Sequence, residues 1–228
     1  MTTRESAPDV GRAMGTRIAR GFDLDAAYAH LQHRDKRMAK WMQRIGPLQL
    51  DFTARFDTVD ALARSILHQQ LSGRAAATIT KRVAALMPRN RISAEGIDSQ
   101  TDSMLRSSGV SAGKLAALRD LAAHARAGRI PTARQLEHME DAAIVASLTN
   151  VRGIGRWTVE MLLMFRLGRP DVLPIDDLGV RMGAALVDRM SEAPTPRELA
   201  ARGARWAPYR SLAGFYLWRV VEYARKHA

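Results

Sequence analysis

Helical periodicity, broken at short intervals by glycine and proline, is what most constrains this chain. Val59, Leu62, Ala63, Ile66 and Leu67 recur at the i, i+3, i+4, i+7, i+8 spacing that lines one face of an α-helix. Thr58 stands just ahead of them as an N-cap. The pattern returns at Ile144, Val145 and Leu148 and at Ala213, Leu217, Val220 and Ala224, and the alanine-rich stretches 75–86 and 115–127 favour helix by propensity. No pair of alternating runs is joined by an Asn-Gly or Asp-Gly turn, so nothing marks a β-hairpin. The expectation is an all-α body of about ten short helices, over 24–33, 35–45, 58–68, 72–86, 101–107, 111–127, 139–149, 156–167, 176–189, 196–206 and 209–225. The breakers between them include Gly46-Pro47, Gly109, Gly128, Gly153, Gly155, Gly168, Pro170, Pro174, Pro194 and Pro208.

A length of 228 residues suits one generous domain or two small lobes. No apolar run is long enough to cross a bilayer. Residues 1–20 carry Arg4, Glu5, Asp9, Arg12, Arg17 and Arg20 with no apolar core, which predicts a flexible N-terminal tail rather than a signal peptide. The absence of cysteine excludes disulfides, thiolate zinc sites, thiol nucleophiles and cysteine-held iron–sulfur clusters. Lysine and arginine number 35 against 23 acidic residues, a net charge of +12, which points to a polyanion: nucleic acid or an anionic membrane surface. A merely basic enzyme is the plainer alternative. Cations nowhere run five or six together, so the charge belongs to a folded surface.

The most informative stretch is Leu148-Thr149-Asn150-Val151-Arg152-Gly153-Ile154-Gly155-Arg156-Trp157-Thr158-Val159. One helix ends near Thr149, a Gly-x-Gly turn follows, and a second helix starts at Arg156. Glycine there allows positive φ and leaves no side chain to keep a phosphate from the backbone. The free N–H groups opening the second helix, with its dipole, suit a phosphate, and Arg156 adds a cation. An ordinary helix–turn–helix corner fits the same residues. A dinucleotide fingerprint does not, because the strand and the third glycine are missing. The second helix, 156–167, spans about 18 Å and is apolar nearly all round. The loop Gly168-Arg169-Pro170-Asp171-Val172-Leu173-Pro174 can extend up to about 23 Å, enough to return to the hairpin end. It delivers Ile175-Asp176-Asp177 to the next helix. A carboxylate beside a phosphate site is electrostatically awkward, which marks function.

A helix–hairpin–helix, then a Gly/Pro-rich loop and an aspartate, resembles the helix–hairpin–helix DNA glycosylase superfamily. Gly-Ile-Gly-Arg-Trp-Thr (153–158) and Pro-Ile-Asp-Asp-Leu-Gly-Val-Arg (174–181) resemble its 3-methyladenine DNA glycosylase II, or alkylation-repair, branch. Three further segments agree in the same order, the whole running from about residue 58 to 222: Ser65-Ile66-Leu67-His68-Gln69-Gln70-Leu71-Ser72-Gly73-Arg74-Ala75-Ala76, then Gly109-Val110-Ser111 with Lys114, then Trp206-Ala207-Pro208-Tyr209-Arg210-Ser211 with Tyr216-Leu217-Trp218. The resemblance implies two lobes around a DNA-binding cleft, residues 21–57 with 173–228 and residues 58–172.

It further implies that Asp177 is the catalytic carboxylate and Asp176 its capping or orienting neighbour, although a plain helix N-cap is the competing role for either. By the same resemblance Trp157 and Trp218 wall the base pocket, with core packing as their alternative, and Trp41 and Trp206 belong to the scaffold. DNA contacts fall to Gly153, Gly155, Arg156 and Thr158 of the hairpin, to Gln69, Gln70, Leu71 and Ser72 of a wedge turn, and to Lys114, with Arg74, Arg152 and Arg210 as further backbone contacts. Gln70 or Leu71 fills the gap left by an extruded base, with Gln69 bonding the orphaned partner, unless the turn is only a loop or helix cap. The backbone carbonyls of Thr149, Val151 and Ile154 are the expected seat of a monovalent cation. No side-chain metal site and no cofactor is expected. Where strand-cutting relatives carry a lysine nucleophile, this chain has Trp157, so no Schiff base can form there.

The expected reaction is hydrolysis of the N-glycosidic bond of alkylated purines, of the 3-methyladenine and 7-methylguanine type, in duplex DNA, which begins base excision repair. A purine methylated at N3 or N7 already carries positive charge and leaves neutral, so one carboxylate suffices to steady the sugar cation and guide water. The base must be flipped from the stack, and an aromatic face attracts its charge by roughly 0.5–2 kcal/mol. A non-enzymatic lesion-binding protein and an oxidised-base or mismatch glycosylase are the alternatives. The expected setting is a monomer in a bacterial cytoplasm, associated with the nucleoid and not with membrane.

Overall fold

The computed structural model describes residues 20–227, and among them it contains thirteen α-helices, two short 3-10 turns and no strand. The helices in chain order are α1 (Leu24–Arg34), α2 (Lys36–Ile45), α3 (Thr58–His68), α4 (Gly73–Ala85), α5 (Ala94–Ser99), α6 (Asp102–Ser107), α7 (Ala112–Arg126), α8 (Ala133–Leu136), α9 (Asp141–Leu148), α10 (Arg156–Phe165), α11 (Leu178–Asp188), α12 (Pro196–Gly203) and α13 (Arg210–Lys226). The all-α expectation holds, and the helix positions match within a few residues. α5 and α8 were not anticipated, because six- and four-residue helices are too short to show a 3.6-residue period. Their capping signals were present: Ser93 accepts from Gly96 N–H, and Thr132 with Gln135 forms a capping box. The helix expected over 196–206 is two elements, α12 and a 3-10 turn over Ala204–Trp206. The tail expected over 1–20 lies outside the described residues except for Arg20, whose guanidinium donates to Ala54 O at 2.8 Å and Arg166 O at 2.7 Å.

Most helix starts are set locally, by a short polar side chain that accepts one of the first free N–H groups: Asp23, Asp35, Asp57, Ser72, Ser111 and Asp177 all do so. The buried apolar side chains fall into two clusters. One gathers residues of the 52–172 stretch from α3, α4, α5, α7, α9 and α10, with Phe215 added. The other gathers α1, α2, α11 and α13, with Trp206 wholly enclosed. No helix of the described residues is long and apolar enough to cross a membrane.

Five contacts fix the segment carrying Asp177. Gly168, at φ +61°, lies so close to Gly21 that an added Cβ would sit 2.6 Å from the Gly21 nitrogen. Beyond it, Arg169 is buried and donates to Leu136 O and Met139 O, and Arg210 grips Asp171 through Nε at 2.6 Å and Nη2 at 2.8 Å. Ser211, fully buried, donates to Arg169 O and accepts from Val172 N–H. Finally α11 crosses α13 at Gly183, where a Cβ would meet Leu217 O at 2.2 Å. That backbone-to-backbone approach holds the start of α11 against Trp218.

Candidate active site and nucleic-acid interface

The hairpin joins α9 to α10 through residues 149–155. Val151 and Ile154 are buried and pin the turn to the core, with Val151 N–H bonding Leu148 O and Ile154 N–H bonding Val151 O. Gly153 takes φ +79°, the left-handed conformation that favours glycine. Gly155 has an ordinary φ of −91°, so it is not there for its backbone freedom. It serves by bareness: no atom lies within 4 Å of where its Cβ would be, and as N-cap of α10 it provides no side-chain acceptor. The N–H groups opening α10 are therefore free to meet an anion.

Thr158 is 4% exposed, so what it offers that anion-binding end is chiefly its backbone N–H. Arg156 is exposed, and its Nε pairs with the buried Glu160 at 2.9 Å. Burial raises the Glu160 pKa; Arg156 lowers it, and Asp176 and Asp177 nearby raise it further. Of the three carbonyls expected to face a cation, that of Val151 already accepts within the turn. Among the described residues no group of three or more His, Cys, Asp or Glu side chains could hold a metal.

The return loop brings Asp177 to this end of α10. Its Oδ2 accepts from Trp157 Nε1 at 2.8 Å, and its Oδ1 accepts from Trp218 Nε1 at 2.9 Å and from Val180 N–H at 2.8 Å. The sequence sets N-capping against function as rival roles for either aspartate, with Asp176 as the capping or orienting neighbour of Asp177. Here Asp177 itself caps α11 while Asp176 stays exposed, because Asp177 N–H closes a turn onto Pro174 O and the helix begins two residues later than expected. All three donors to Asp177 are neutral, and no lysine, arginine or histidine among the described residues lies within ion-pair distance of it. Its charge is oriented but not cancelled.

The two tryptophans expected to wall one pocket share Asp177 but line different cavities. Trp157, 45% exposed, faces a cavity of about 730 Å³ between α3 and α10. Trp218 faces one of about 450 Å³ between α13 and the 48–52 segment. Phe165 lies on both and stacks on Trp218, with ring centroids 5.7 Å apart. Of the tryptophans assigned to the scaffold, Trp206 is wholly buried, and Trp41 is half-buried with its ring edge-on to Tyr223.

The wedge turn is tied to the hairpin, a link that sequence spacing does not show. Gln69 Nε2 donates to Gly153 O at 2.7 Å, so its amide is engaged by the hairpin backbone. Gln70 adopts φ +54°, strained for a non-glycine residue, and Leu71 is 40% exposed. Ser72 caps α4 through Ala75 N–H. Lys114 Nζ donates to Leu67 O at 2.7 Å and so closes the end of α3, and burial lowers its pKa. Arg210, expected on DNA, is committed to Asp171, whereas Arg74 and Arg152 are exposed.

Comparison with known proteins agrees with this geometry. Residues 63–208 match the model of the HhH-GPD superfamily base excision DNA repair proteins. DNA-3-methyladenine glycosylase 1 of Schizosaccharomyces pombe is 32% identical over 203 residues, covering 88% of this chain and 89% of the relative. The solved structure of the S. pombe 3-methyladenine DNA glycosylase in complex with abasic DNA superposes with a TM-score of 0.79 over 85% of this chain and 95% of that one, at 32% identity. A DNA-3-methyladenine glycosidase from Bacillus halodurans gives the same TM-score at 33% identity, covering 90% of this chain and 94% of that one. The helix–hairpin–helix resemblance read from the sequence therefore holds at the level of the family: this chain belongs to the HhH-GPD superfamily of base excision DNA repair proteins.

Proposed function

We propose that the chain is a monofunctional DNA glycosylase that hydrolyses the N-glycosidic bond of alkylated purines in duplex DNA. The observation that carries this reading is the state of Asp177: a carboxylate beside the hairpin, held by two indole N–H groups and a helix cap, with no cation among the described residues paired to it. The names of the relatives support the choice of alkylated bases.

Each part of the site then has a task. The hairpin N–H groups hold a strand phosphate next to the target nucleotide, aided by the carbonyls of Thr149, Val151 and Ile154 if these seat a monovalent cation. The exposed Leu71 and strained Gln70 enter the gap in the stack, while Gln69 keeps the wedge in register with the hairpin. Asp177 steadies the positive charge that develops on the deoxyribose and directs water to it. With both oxygens fixed in advance, the carboxylate need not reorganise as that charge appears. A tryptophan at 157 supplies no amine, so the enzyme releases the base and leaves the strand whole. The two apolar clusters support a division into lobes, residues 21–57 with 173–228 and residues 58–172, with duplex DNA in the cleft between them. We extend the reading to a monomer working on nucleoid DNA in a bacterial cytoplasm, a setting favoured by the preponderance of arginine over lysine.

The test is release of free base from methylated duplex DNA by the wild type and by Asp177→Asn, with strand cleavage followed in parallel. Base release by the wild type, loss of release in the variant and intact strands from both are the expected results. DNA binding without base release would make the chain a lesion-binding module instead.

A further inference from the structure

The two cavities that meet at Phe165 differ in charge. The larger, between α3 and α10, is lined by Arg64, His68 and Arg166 and by no acidic residue. Asp60 offsets Arg64 at 2.7 Å, which leaves Arg166 as its uncancelled cation. The smaller cavity has aromatic walls, Phe52, Phe165, Phe215 and Trp218, and carries Asp51, Glu222 and Arg219 at its edge. Arg219 pairs with Glu222 at 2.7 Å, so among the lining residues the charge left over is that of Asp51. Asp51 Oδ1 accepts from the Thr53 hydroxyl at 2.6 Å and the Thr53 N–H at 2.7 Å, and these bonds, with a smaller contribution from Arg20 beyond ion-pair distance, hold its carboxyl below the usual carboxylate range. The second oxygen has no hydrogen-bond donor among the described residues. Trp218 connects this cavity to the reacting group: its ring forms a wall while its N–H bonds Asp177.

We propose that this smaller cavity, and not the larger one beside Trp157, receives the extruded base, and that Asp51 makes it select bases bearing positive charge. The proposal rests on the glycosylase reading and deepens it. A volume of about 450 Å³ lies within the ordinary range for small-ligand pockets. Electron-rich ring faces attract a cation but also hold a neutral purine, so they discriminate weakly. An ionised carboxylate at the edge discriminates by charge alone. Because Asp51 is exposed, its field is screened by salt, and the selectivity it gives falls as salt rises. The larger cavity, with its excess positive charge, would repel an N3- or N7-methylated purine.

The experiment compares single-turnover release of 7-methylguanine, cationic as the nucleoside, with release of neutral hypoxanthine at low salt. It uses the wild type, Asp51→Asn and Arg166→Gln. Asparagine keeps the acceptor for Thr53, so the local turn survives. Asp51→Asn should lower the ratio of the two rates about threefold to tenfold by slowing 7-methylguanine alone, and Arg166→Gln should leave it unchanged. An unchanged ratio in Asp51→Asn, or a ratio that moves with Arg166→Gln, overturns the proposal while the glycosylase reading stands. Binding of the permanent cation 3,9-dimethyladeninium against neutral 9-methyladenine, followed by tryptophan fluorescence, is independent of the chemistry. Preference for the cation in the wild type and its loss in Asp51→Asn would uphold the cavity assignment even if no base were released. Equal binding of the two probes by the wild type would end it.

Discussion

Two aspartates in this molecule are built alike and do opposite things. Asp35 and Asp177 each cap a helix, α2 and α11, and each accepts from a tryptophan Nε1 at 2.8–2.9 Å. Asp35 is 4% exposed and meets Arg202 at 2.5 Å, and the same arginine also grips Asp188 at 2.6 Å. Asp177 is half-buried at a surface site and has only neutral donors. A capping aspartate with a cation is a structural tie whose charge is spent within the fold. A capping aspartate without one keeps its charge for something that arrives from outside.

The comparison is broken most directly by removing each charge while keeping its shape. Asp177→Asn should slow base release by roughly a hundredfold to a thousandfold, the scale of losing a preorganised electrostatic group, with little change in melting temperature. Asp35→Asn should do the reverse: near-normal release from the folded protein, and a stability loss of about 3–5 kcal/mol because Arg202 loses half of its buried compensation. Thermal melts and single-turnover rates on both variants decide it. If Asp35→Asn impairs chemistry as much as Asp177→Asn, the distinction fails.

The glycine at the crossing of α11 and α13 sets how closely the start of α11 approaches Trp218. Gly183→Ala forces a Cβ onto Leu217 O, and we expect a cost of about 1–3 kcal/mol, together with slower release as Trp218 shifts from Asp177. A stable, fully active variant would show that this crossing does not set the site.

Replacing tryptophan by phenylalanine removes the N–H and keeps most of the ring. Trp157→Phe and Trp218→Phe should each reduce the release rate, by about tenfold, a single hydrogen bond to a charged group being worth about 1.5–3 kcal/mol at most. Trp206→Phe should instead lower stability by about 1–3 kcal/mol, as expected when a buried acceptor loses a donor. Rates that fall with Trp206→Phe and not with the other two would invert the assignment.

Acid titration gives the smallest contrast. Burial alone would raise the Asp35 carboxyl, but its bonds from Arg202, Met38 N–H and Trp206 outweigh that and hold it below its ordinary 3.8. A carboxyl more acidic folded than unfolded stabilises above the unfolded pKa and loses that contribution as pH falls through the folded one. Stability should therefore decline below about pH 4 in the wild type and less steeply in Asp35→Asn. Glu160 has the opposite sign: its raised pKa means the folded state favours its protonated form, so its contribution weakens as pH rises from the ordinary carboxylate range. Urea melts across pH 3–7 of the wild type, Asp35→Asn and Glu160→Gln test both signs.

Much of this was legible in the sequence, for identifiable reasons. Long helices such as α3 and α13 announce themselves by period, and the hairpin by its two glycines. The reach of the 168–174 loop returns an aspartate pair to an anion-binding turn, and the family resemblance selects Asp177 within that pair. What the sequence hid was pairing across distance. Nothing local reveals that Gln69 bonds Gly153, that Arg210 is consumed by Asp171, or that Arg202 neutralises Asp35 from far along the chain. Trp157 and Trp218 share a carboxylate, yet their rings open onto different cavities, because Phe165 stands between them. The Arg156–Glu160 pair, by contrast, is an i, i+4 spacing that could have been read from the sequence.

The most direct measurement is affinity for duplex DNA in which one nucleotide is replaced by a cationic pyrrolidine, set against the same duplex with a neutral tetrahydrofuran. The pyrrolidine carries positive charge where the sugar cation would form. An uncancelled Asp177 should make the wild type bind the cationic duplex at least about a hundredfold tighter, as transition-state mimics are bound, and Asp177→Asn should bind the two equally. Equal affinity in the wild type, or a preference that survives in Asp177→Asn, would contradict the account.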